Sequence, residues 1–236
     1  MNKMGANQSI LIYSTNWTYR KGLTSIIAKQ RKYNVFECST MREVIDVLAT
    51  KQINKLVLDM SIRKSLLFMD VIRCRYPLLP IVVTQRFFYF SDRMVADFFG
   101  GISLYNYDSL SIGSVNNILF KDQGATTSKH IVINGRYNPL NMERMDMSSP
   151  SIIDMLYNYL RYRLSTEYLT PRTTSIIMDG VAKGMSAKML GRIFHRSSKV
   201  IYHYKYQAMQ VLDISHCARD LVPSLSFELG YCPKDR

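Results

Sequence analysis

The sequence predicts an α/β flavodoxin-like N-terminal domain followed by an all-α four-helix C-terminal domain. Short apolar strands alternate with amphipathic stretches up to about residue 121, a polar and turn-rich segment follows, and beyond it apolar residues recur every three or four positions. The 236 residues are 47% hydrophobic, which is enough for two small domains with a core each. We expect the α/β domain at 1–123, a linker at 124–150, a connecting helix at 151–165, the helical domain at 166–224 and a C-terminal tail at 225–236.

The N-terminal domain contains five repeats of a strand and a helix. Strands such as LVLD and IVVT are continuously apolar, which is typical of a parallel sheet with helices on both faces. We expect the strands at Ile10–Tyr13, Val35–Cys38, Lys55–Asp59, Pro80–Thr84 and Ile102–Tyr105. The helices are expected near Thr18–Gln30, Met41–Ala49, Lys64–Arg75, Ser91–Phe99 and Ile112–Phe120. This alternation predicts a doubly wound sheet.

The chain is strongly basic, with a formal charge of +13 and a pI of about 9.6. Such a charge attracts nucleic acids or anionic membrane surfaces. No apolar run reaches the ~18 residues of a membrane span, and the polar N-terminus has no signal-peptide pattern. Four scattered cysteines favour reduced thiols in a cytoplasm over a disulfide framework or a metal site. We therefore expect a cytoplasmic protein that needs no cofactor, metal or membrane.

The first two helices of the C-terminal domain have clear start and stop signals. Thr170 precedes Pro171 as an N-cap precedes the first helical residue, and Gly184 ends that helix. Ser186 is positioned to cap a second, short helix. Its inward-facing residues are predicted to be Met189, Leu190 and Ile193.

A third helix follows after a tight turn at His195-Arg196. Ser197 or Ser198 caps this helix, which extends to about Leu212. Its buried face is predicted to hold Ile201, Tyr204, Ala208 and Leu212.

The arrangement of these helices and their charge favour DNA binding. Two short helices, a tight turn and a polar-faced helix have the geometry that fits a major groove. From Lys183 to Lys205 the sequence has six Lys or Arg residues and no Asp or Glu. Because each phosphate contact releases a counterion, such a segment favours DNA. The alternative from the residues alone is a three-helix bundle with a solvated basic face.

The segment LTPRTTSIIMDGVAKGMSAKMLGRIFHRSSKVIYHYKYQAMQVLDIS resembles the LuxR-type (NarL/FixJ) DNA-binding domain. The resemblance lies in the LTPR opening, the GMS break, the cap-plus-Lys start of the third helix and its M-x-x-L end. It implies a helix-turn-helix from Ser186 to Lys205 and a transcription regulator that binds double-stranded DNA. The implied DNA-binding residues are Lys188, Ser197, Ser198, Lys199, Tyr202, His203, Lys205 and Tyr206.

The third helix departs from the family pattern in its reading residues. Tyr202, His203 and Tyr206 fall at the base-edge positions, and Tyr204 replaces the usual His. Tyrosines cannot make the bidentate contact that Arg makes with guanine. Contacts with thymine methyl groups or phosphates are therefore expected. The segment after Ser215 resembles the family's fourth helix, which serves dimerisation.

With that C-terminal domain, the strand–helix repeats resemble the receiver domain of response regulators. A working receiver holds Mg²⁺ on two acidic residues after its first strand, because a hard cation prefers carboxylate oxygens. Here those positions are Ser14 and Thr15, and the usual Lys of the fifth strand is assigned to Tyr105. Asp59 and Thr84 keep the acceptor and hydroxyl positions. The resemblance therefore implies a degenerate receiver, with Asp59 a surviving acceptor or a polar strand end.

This combination resembles the auxiliary, non-phosphorylated LuxR-type regulators of enteric bacteria, some of which act as heterodimers with a regulator of the Rcs type. It implies a phosphorylation-independent regulator that is a homodimer, or a heterodimer with a related response regulator. Two alternatives stay open: a phosphorelay response regulator that uses Asp59, and an interaction protein that sequesters another regulator. No Gly-rich phosphate loop, metal-ligand cluster or nucleophile–base pair indicates an enzyme.

Overall fold

The computed structural model describes residues 8–29, 33–109, 149–214 and 218–230. The helix expected at Ile112–Phe120, nearly all of the linker, Cys217 and residues 231–236 lie outside these ranges. Among the described helices, none is both long and apolar enough to cross a membrane.

The N-terminal domain is built on a parallel five-stranded sheet with the strand order β2-β1-β3-β4-β5. This order confirms the flavodoxin-like fold, and every observed strand starts and ends within two residues of its predicted bounds. Strand β1 pairs with β3 in a register that places Ser14 beside Asp59. The strands are β1 (Gln8–Ser14), β2 (Tyr33–Cys38), β3 (Lys55–Asp59), β4 (Ile81–Gln85) and β5 (Ile102–Asn106).

Four described helices cover the two faces of this sheet. They are α1 (Trp17–Ala28), α2 (Met41–Thr50), α3 (Leu66–Arg75) and α4 (Phe90–Phe99). Residues of α1 pack with alternate residues of β1 in a small apolar cluster on one face. The other face belongs to a larger cluster, which continues without a break into the C-terminal half of the chain.

The C-terminal half begins with α5 (Ser149–Arg163), which overlaps the expected connecting helix. The helix-turn-helix region that follows has the three helices expected from its caps, and the first of them ends in a π-helical turn at Ile177–Val181. These helices are α6 (Pro171–Ile176), α7 (Ala187–Ile193) and α8 (Ser198–Val211).

The inward face of α7 differs from the prediction. Leu190 is fully buried, but Met189 and Ile193 are each 51% exposed, so the assignment of these two residues to the core was wrong. Leu190 packs directly onto Gly180, where a Cβ would collide with its methyl groups. A seven-residue helix that lies so close to its neighbour buries one narrow stripe, and its remaining apolar side chains face outward.

The C-terminal segment is packed against the rest of the molecule. The described part of the expected fourth helix contains one 3-10 turn, at Ala218–Asp220, and a second 3-10 turn follows it at Pro223–Leu225. Leu225 and Phe227 belong to the large core cluster. Residues from 225 to 230 therefore lie along the N-terminal domain, where the sequence predicted a tail.

Candidate nucleic-acid interface

A tight turn sets the geometry between α7 and α8. His195 adopts a positive φ of 50°, and the Arg196 N–H donates to the Gly191 carbonyl over 2.8 Å. A Cβ on Gly191 would lie 2.6 Å from the Arg196 carbonyl oxygen, so only glycine permits this approach. The turn brings the start of α8 directly against α7.

Serine hydroxyls hold the first turns of both helices. The Ser186 Oγ accepts from the Met189 N–H over 3.2 Å, and the Ser197 Oγ accepts from the Val200 N–H over 3.4 Å. Ser197 is therefore the N-cap of α8, and Ser198 is its first helical residue. Both hydroxyl groups lie on the exposed side, where an incoming phosphate meets the positive end of the helix dipole.

One face of α8 is exposed and carries most of the predicted DNA-binding residues. Tyr202 is 63% exposed and Tyr206 is 59% exposed, while Ile201 is buried on the opposite side. Lys199 and His203 are also exposed, and the i, i+3, i+4 and i+7 spacing of these residues places them on one face. We call this surface the reading face: Lys199, Tyr202, His203 and Tyr206.

The other predicted residues adjoin the reading face. Lys205 is half-buried and, with Tyr202 and Tyr206, lines a groove of about 430 Å³ that ends at Val222. Gln210 donates to the Tyr206 hydroxyl over 3.1 Å, which orients that ring. Lys188 is exposed on α7. The side chains of α8 thus form a polar and aromatic rim beside an apolar groove.

The charge around the reading face is positive throughout. Every Lys and Arg from 183 to 205 is exposed except the half-buried Lys205, and this stretch has no acidic residue. The acid nearest to it along the chain is Asp179, which pairs with Arg161 over 2.5 Å. The Arg161 hydrogen bonds lower the pKa of Asp179, so the pair is ionised and its charges offset each other. The basic stretch from 183 to 205 is therefore not interrupted by any acidic residue of its own.

A second cluster of polar residues lies at the carboxyl edge of the sheet, around Asp59. The Ser14 hydroxyl donates to one carboxylate oxygen of Asp59 over 2.5 Å, and the Tyr107 hydroxyl donates to the other. Tyr105, the residue assigned to the lysine position, packs against the smaller apolar cluster. Tyr107, which lies just beyond the end of β5, is the residue that reaches Asp59.

Two tyrosines fill the space between Asp59 and Thr84. The Tyr19 hydroxyl donates to the Thr84 Oγ1 over 2.8 Å, and the rings of Tyr19 and Tyr107 lie 5.1 Å apart. Burial and the Asp59 charge raise the pKa of Tyr19 to about 12, and they raise the pKa of Tyr107 as well. Both hydroxyls therefore stay protonated and act as donors at neutral pH.

At this edge of the sheet, Ser14 and Thr15 lie at the two positions at the end of β1 where the family has acidic residues. Thr15, at one of the two usual acidic positions, is exposed. Across the described ranges, no three His, Cys, Asp or Glu residues are grouped so that they could hold a metal ion. Asp59 is bonded to neutral hydroxyl groups where a working receiver would hold a cation.

Sequence reasoning missed the two tyrosines of this pocket. Their roles depend on the positions of two rings, one at the start of α1 and one in the turn after β5. The spacing of apolar residues in the sequence does not indicate these positions. The sequence does place one aromatic residue shortly after β1 and another after β5. Because the carboxyl ends of parallel strands meet at one edge of the sheet, this pattern could have indicated that the two rings lie together.

The two-domain arrangement matches solved structures over nearly its whole length. The two-component response regulator RcsB in complex with DNA is 17% identical, with 93% of this chain and 98% of that chain covered and a TM-score of 0.62. A structure of two RcsB dimers bound to two parallel DNAs has the same identity and coverage and a TM-score of 0.58.

RcsB from Salmonella enterica serovar Typhimurium, bound to the promoter rprA with the phosphomimetic BeF3⁻, is also 17% identical. The match covers 93% of this chain and 98% of the RcsB chain, with a TM-score of 0.57. The chain has the fold of these response regulators. No family model and no curated protein sequence matches the chain.

The hydroxyl of Tyr107 is expected to stabilise the N-terminal domain. Tyr107→Phe removes one of the two hydroxyl donors of Asp59, and because the site is partly exposed we expect a loss of about 1 kcal/mol in the free energy of unfolding. Tyr105→Phe is the matched control, since its ring packs on the smaller apolar cluster. Urea unfolding followed by the fluorescence of Trp17, the single tryptophan, measures both variants. Equal stability of the two variants would contradict the role given to Tyr107.

Proposed function

We propose that this protein is a DNA-binding transcription regulator that acts without phosphorylation of its receiver-like domain. The observation that carries the proposal is the reading face on α8, which is exposed, cationic and aromatic and has no acidic neighbour from 183 to 205. Its support is the likeness in fold to RcsB, whose structures in complex with DNA were described above.

The proposed contacts divide into positioning and reading. Lys188, Lys199 and Lys205, with the cap hydroxyls of Ser197 and Ser198, contact phosphates and fix the register of α8 in the major groove.

Reading of the bases falls to Tyr202, His203 and Tyr206. Tyrosine rings favour apolar contact with thymine methyl groups, and His203 supplies a hydrogen bond to a base edge. Because these contacts discriminate less than Arg–guanine pairs, a partner subunit adds specificity. We propose a homodimer or a heterodimer with a related response regulator, in keeping with the RcsB dimers seen on DNA.

Phosphorylation independence is proposed from the pocket around Asp59. Transfer of a phosphoryl group to Asp59 requires a cation and a lysine to balance the added charge. Ser14 lies at one of the usual acidic positions, and the hydroxyls of Ser14 and Tyr107 are already bonded to the carboxylate. An incoming phosphoryl group would have to break both bonds without a compensating charge.

The DNA contacts are tested by binding in a salt series. Lys199→Ala and Lys205→Ala are each expected to weaken binding to duplex DNA uniformly across sequences and to lower the slope of log K against log salt by about 1. Lys51→Ala, a change at an exposed lysine of the N-terminal domain, is the control and should leave both unchanged. Intact binding with both helix variants would favour the alternative of a protein that sequesters another regulator.

Phosphorylation independence is tested with acetyl phosphate and Mg²⁺. Mass spectrometry should find no phosphoryl adduct on the wild-type chain. Asp59→Asn should keep DNA affinity within about twofold, since this substitution does not touch the reading face. A variant carrying Ser14→Asp, Thr15→Asp and Tyr107→Lys restores the charges and is expected to gain an adduct. An Asp59-dependent adduct on the wild-type chain that tightens DNA binding would instead establish a phosphorelay regulator.

A further inference from the structure

The C-terminal segment from Pro223 to Gly230, which we call the strap, lies along the loop that follows Asp59. The Glu228 N–H donates to the Arg63 carbonyl over 2.8 Å. In return, the N–H groups of Leu66 and Leu67 donate to the carbonyls of Glu228 and Leu229, over 3.4 and 3.0 Å. The strap therefore pairs with Arg63–Leu67 through its backbone.

Those bonds complete the N-terminus of α3. The first N–H groups of a helix have no partner within the helix, and a side chain usually caps them. Ser65 occupies the N-cap position of α3 but makes no capping hydrogen bond through its side chain. The strap supplies the acceptors in its place, so α3 is capped by residues more than 160 positions away in the chain.

Packing and hydrogen bonds hold the strap along its whole length. Leu225 is fully buried, and the ring of Phe227 packs edge-on against Tyr157 of α5 with 5.2 Å between centroids. The Ser91 hydroxyl of α4 donates to the Pro223 carbonyl over 2.8 Å. Gly230 has a positive φ of 68°, and a Cβ there would collide with the backbone at Lys64. The strap thus fits this site closely from one end to the other.

Arg63 connects the strap to the interior of the N-terminal domain. It is buried, its guanidinium lies over the Tyr89 ring at 4.7 Å, and it forms ion pairs with Asp92 at 3.9 Å and Glu228 at 4.0 Å. Lys64 also pairs with Glu228, at 3.8 Å. One acid of the strap therefore balances two cations of the loop that follows Asp59.

We propose that the strap is a latch that fixes the helix-turn-helix domain on the receiver-like domain and holds the reading face open in the unphosphorylated chain. The strap contacts α3, α4 and α5, whereas Tyr202 and Tyr206 stay exposed. The latch thereby supplies a fixed domain arrangement without a phosphoryl group. The statement about the reading face rests on the proposed function, but the fastening of the domains does not.

The test compares Glu228→Pro with Glu228→Ala in the full-length chain. The proline removes the N–H that bonds to Arg63, whereas the alanine keeps this bond and removes only the half-exposed ion pairs. We expect amide exchange at Leu66 and Leu67 to rise about tenfold or more with proline and less than about threefold with alanine. Exchange at β1 should be unchanged in both, which shows that the sheet stays folded.

DNA affinity is measured on the same samples and is expected to fall about tenfold with proline only, because the domains lose their fixed arrangement. Unchanged exchange at Leu66 and Leu67 would overturn the latch. Faster exchange with unchanged affinity would overturn its role in DNA binding. If the wild-type chain bound no DNA, the proposed function would fail, and the exchange measurement would still decide whether the strap fastens the two domains.

Discussion

Asp92 carries a carboxylate that is fully shielded from water, and the groups that satisfy it join the two halves of the molecule. Burial raises the pKa of Asp92, while hydrogen bonds from Arg63 N–H, Tyr89 N–H and the Ser61 hydroxyl oppose that rise. Arg63 adds its charge at 3.9 Å, but it is itself buried and is stabilised by a further negative charge. Glu228 provides it from the far end of the chain.

Helix α4, which contains Asp92, is consequently the junction of the structure. Its other contacts with the C-terminal half follow the same pattern of paired charges and packed rings. Asp97 pairs with Arg163 of α5 at 3.5 Å, and Arg93 pairs with Asp213 after α8 at 3.5 Å. The residue after the end of α8 is thus paired with the receiver-like domain, while Tyr202 and Tyr206 of α8 stay exposed.

In the proposed function, the pocket and the strap have complementary roles. Hydroxyl groups of Ser14 and Tyr107 satisfy Asp59 from within, so this edge of the sheet no longer needs a cation. The strap then holds the loop that follows Asp59.

The sequence predicted the elements well because their signals are local. Short, largely apolar runs marked the five strands, and Ser186 and Thr170 marked helix starts that the structure confirms through their capping bonds. The features that it missed depend on contacts between distant positions. The acceptors that cap α3 come from residues 228 and 229, and the exposure of Met189 depends on how closely α7 approaches Gly180. No periodicity in a single segment reports such contacts.

The residues proposed to bind DNA were predicted from their spacing and charge, which are local properties. Their division into cap, half-buried and exposed residues required the structure: Ser197 is the cap, and Lys205 lines a groove. Tyr107 was missed, since a strand predicted to end at Tyr105 gives no reason to look beyond it.

The central claim is that α7 and α8 bind DNA in a chain that has received no phosphoryl group. Hydrogen exchange of the full-length protein with and without duplex DNA, in low salt and without Mg²⁺ or a phosphoryl donor, tests this most directly. The account predicts that DNA slows exchange mainly between Ser186 and Tyr206 and leaves β3 unchanged. The claim would be contradicted if DNA slowed exchange only outside Ser186–Tyr206. It would also be contradicted if exchange slowed only after BeF3⁻ and Mg²⁺ were added.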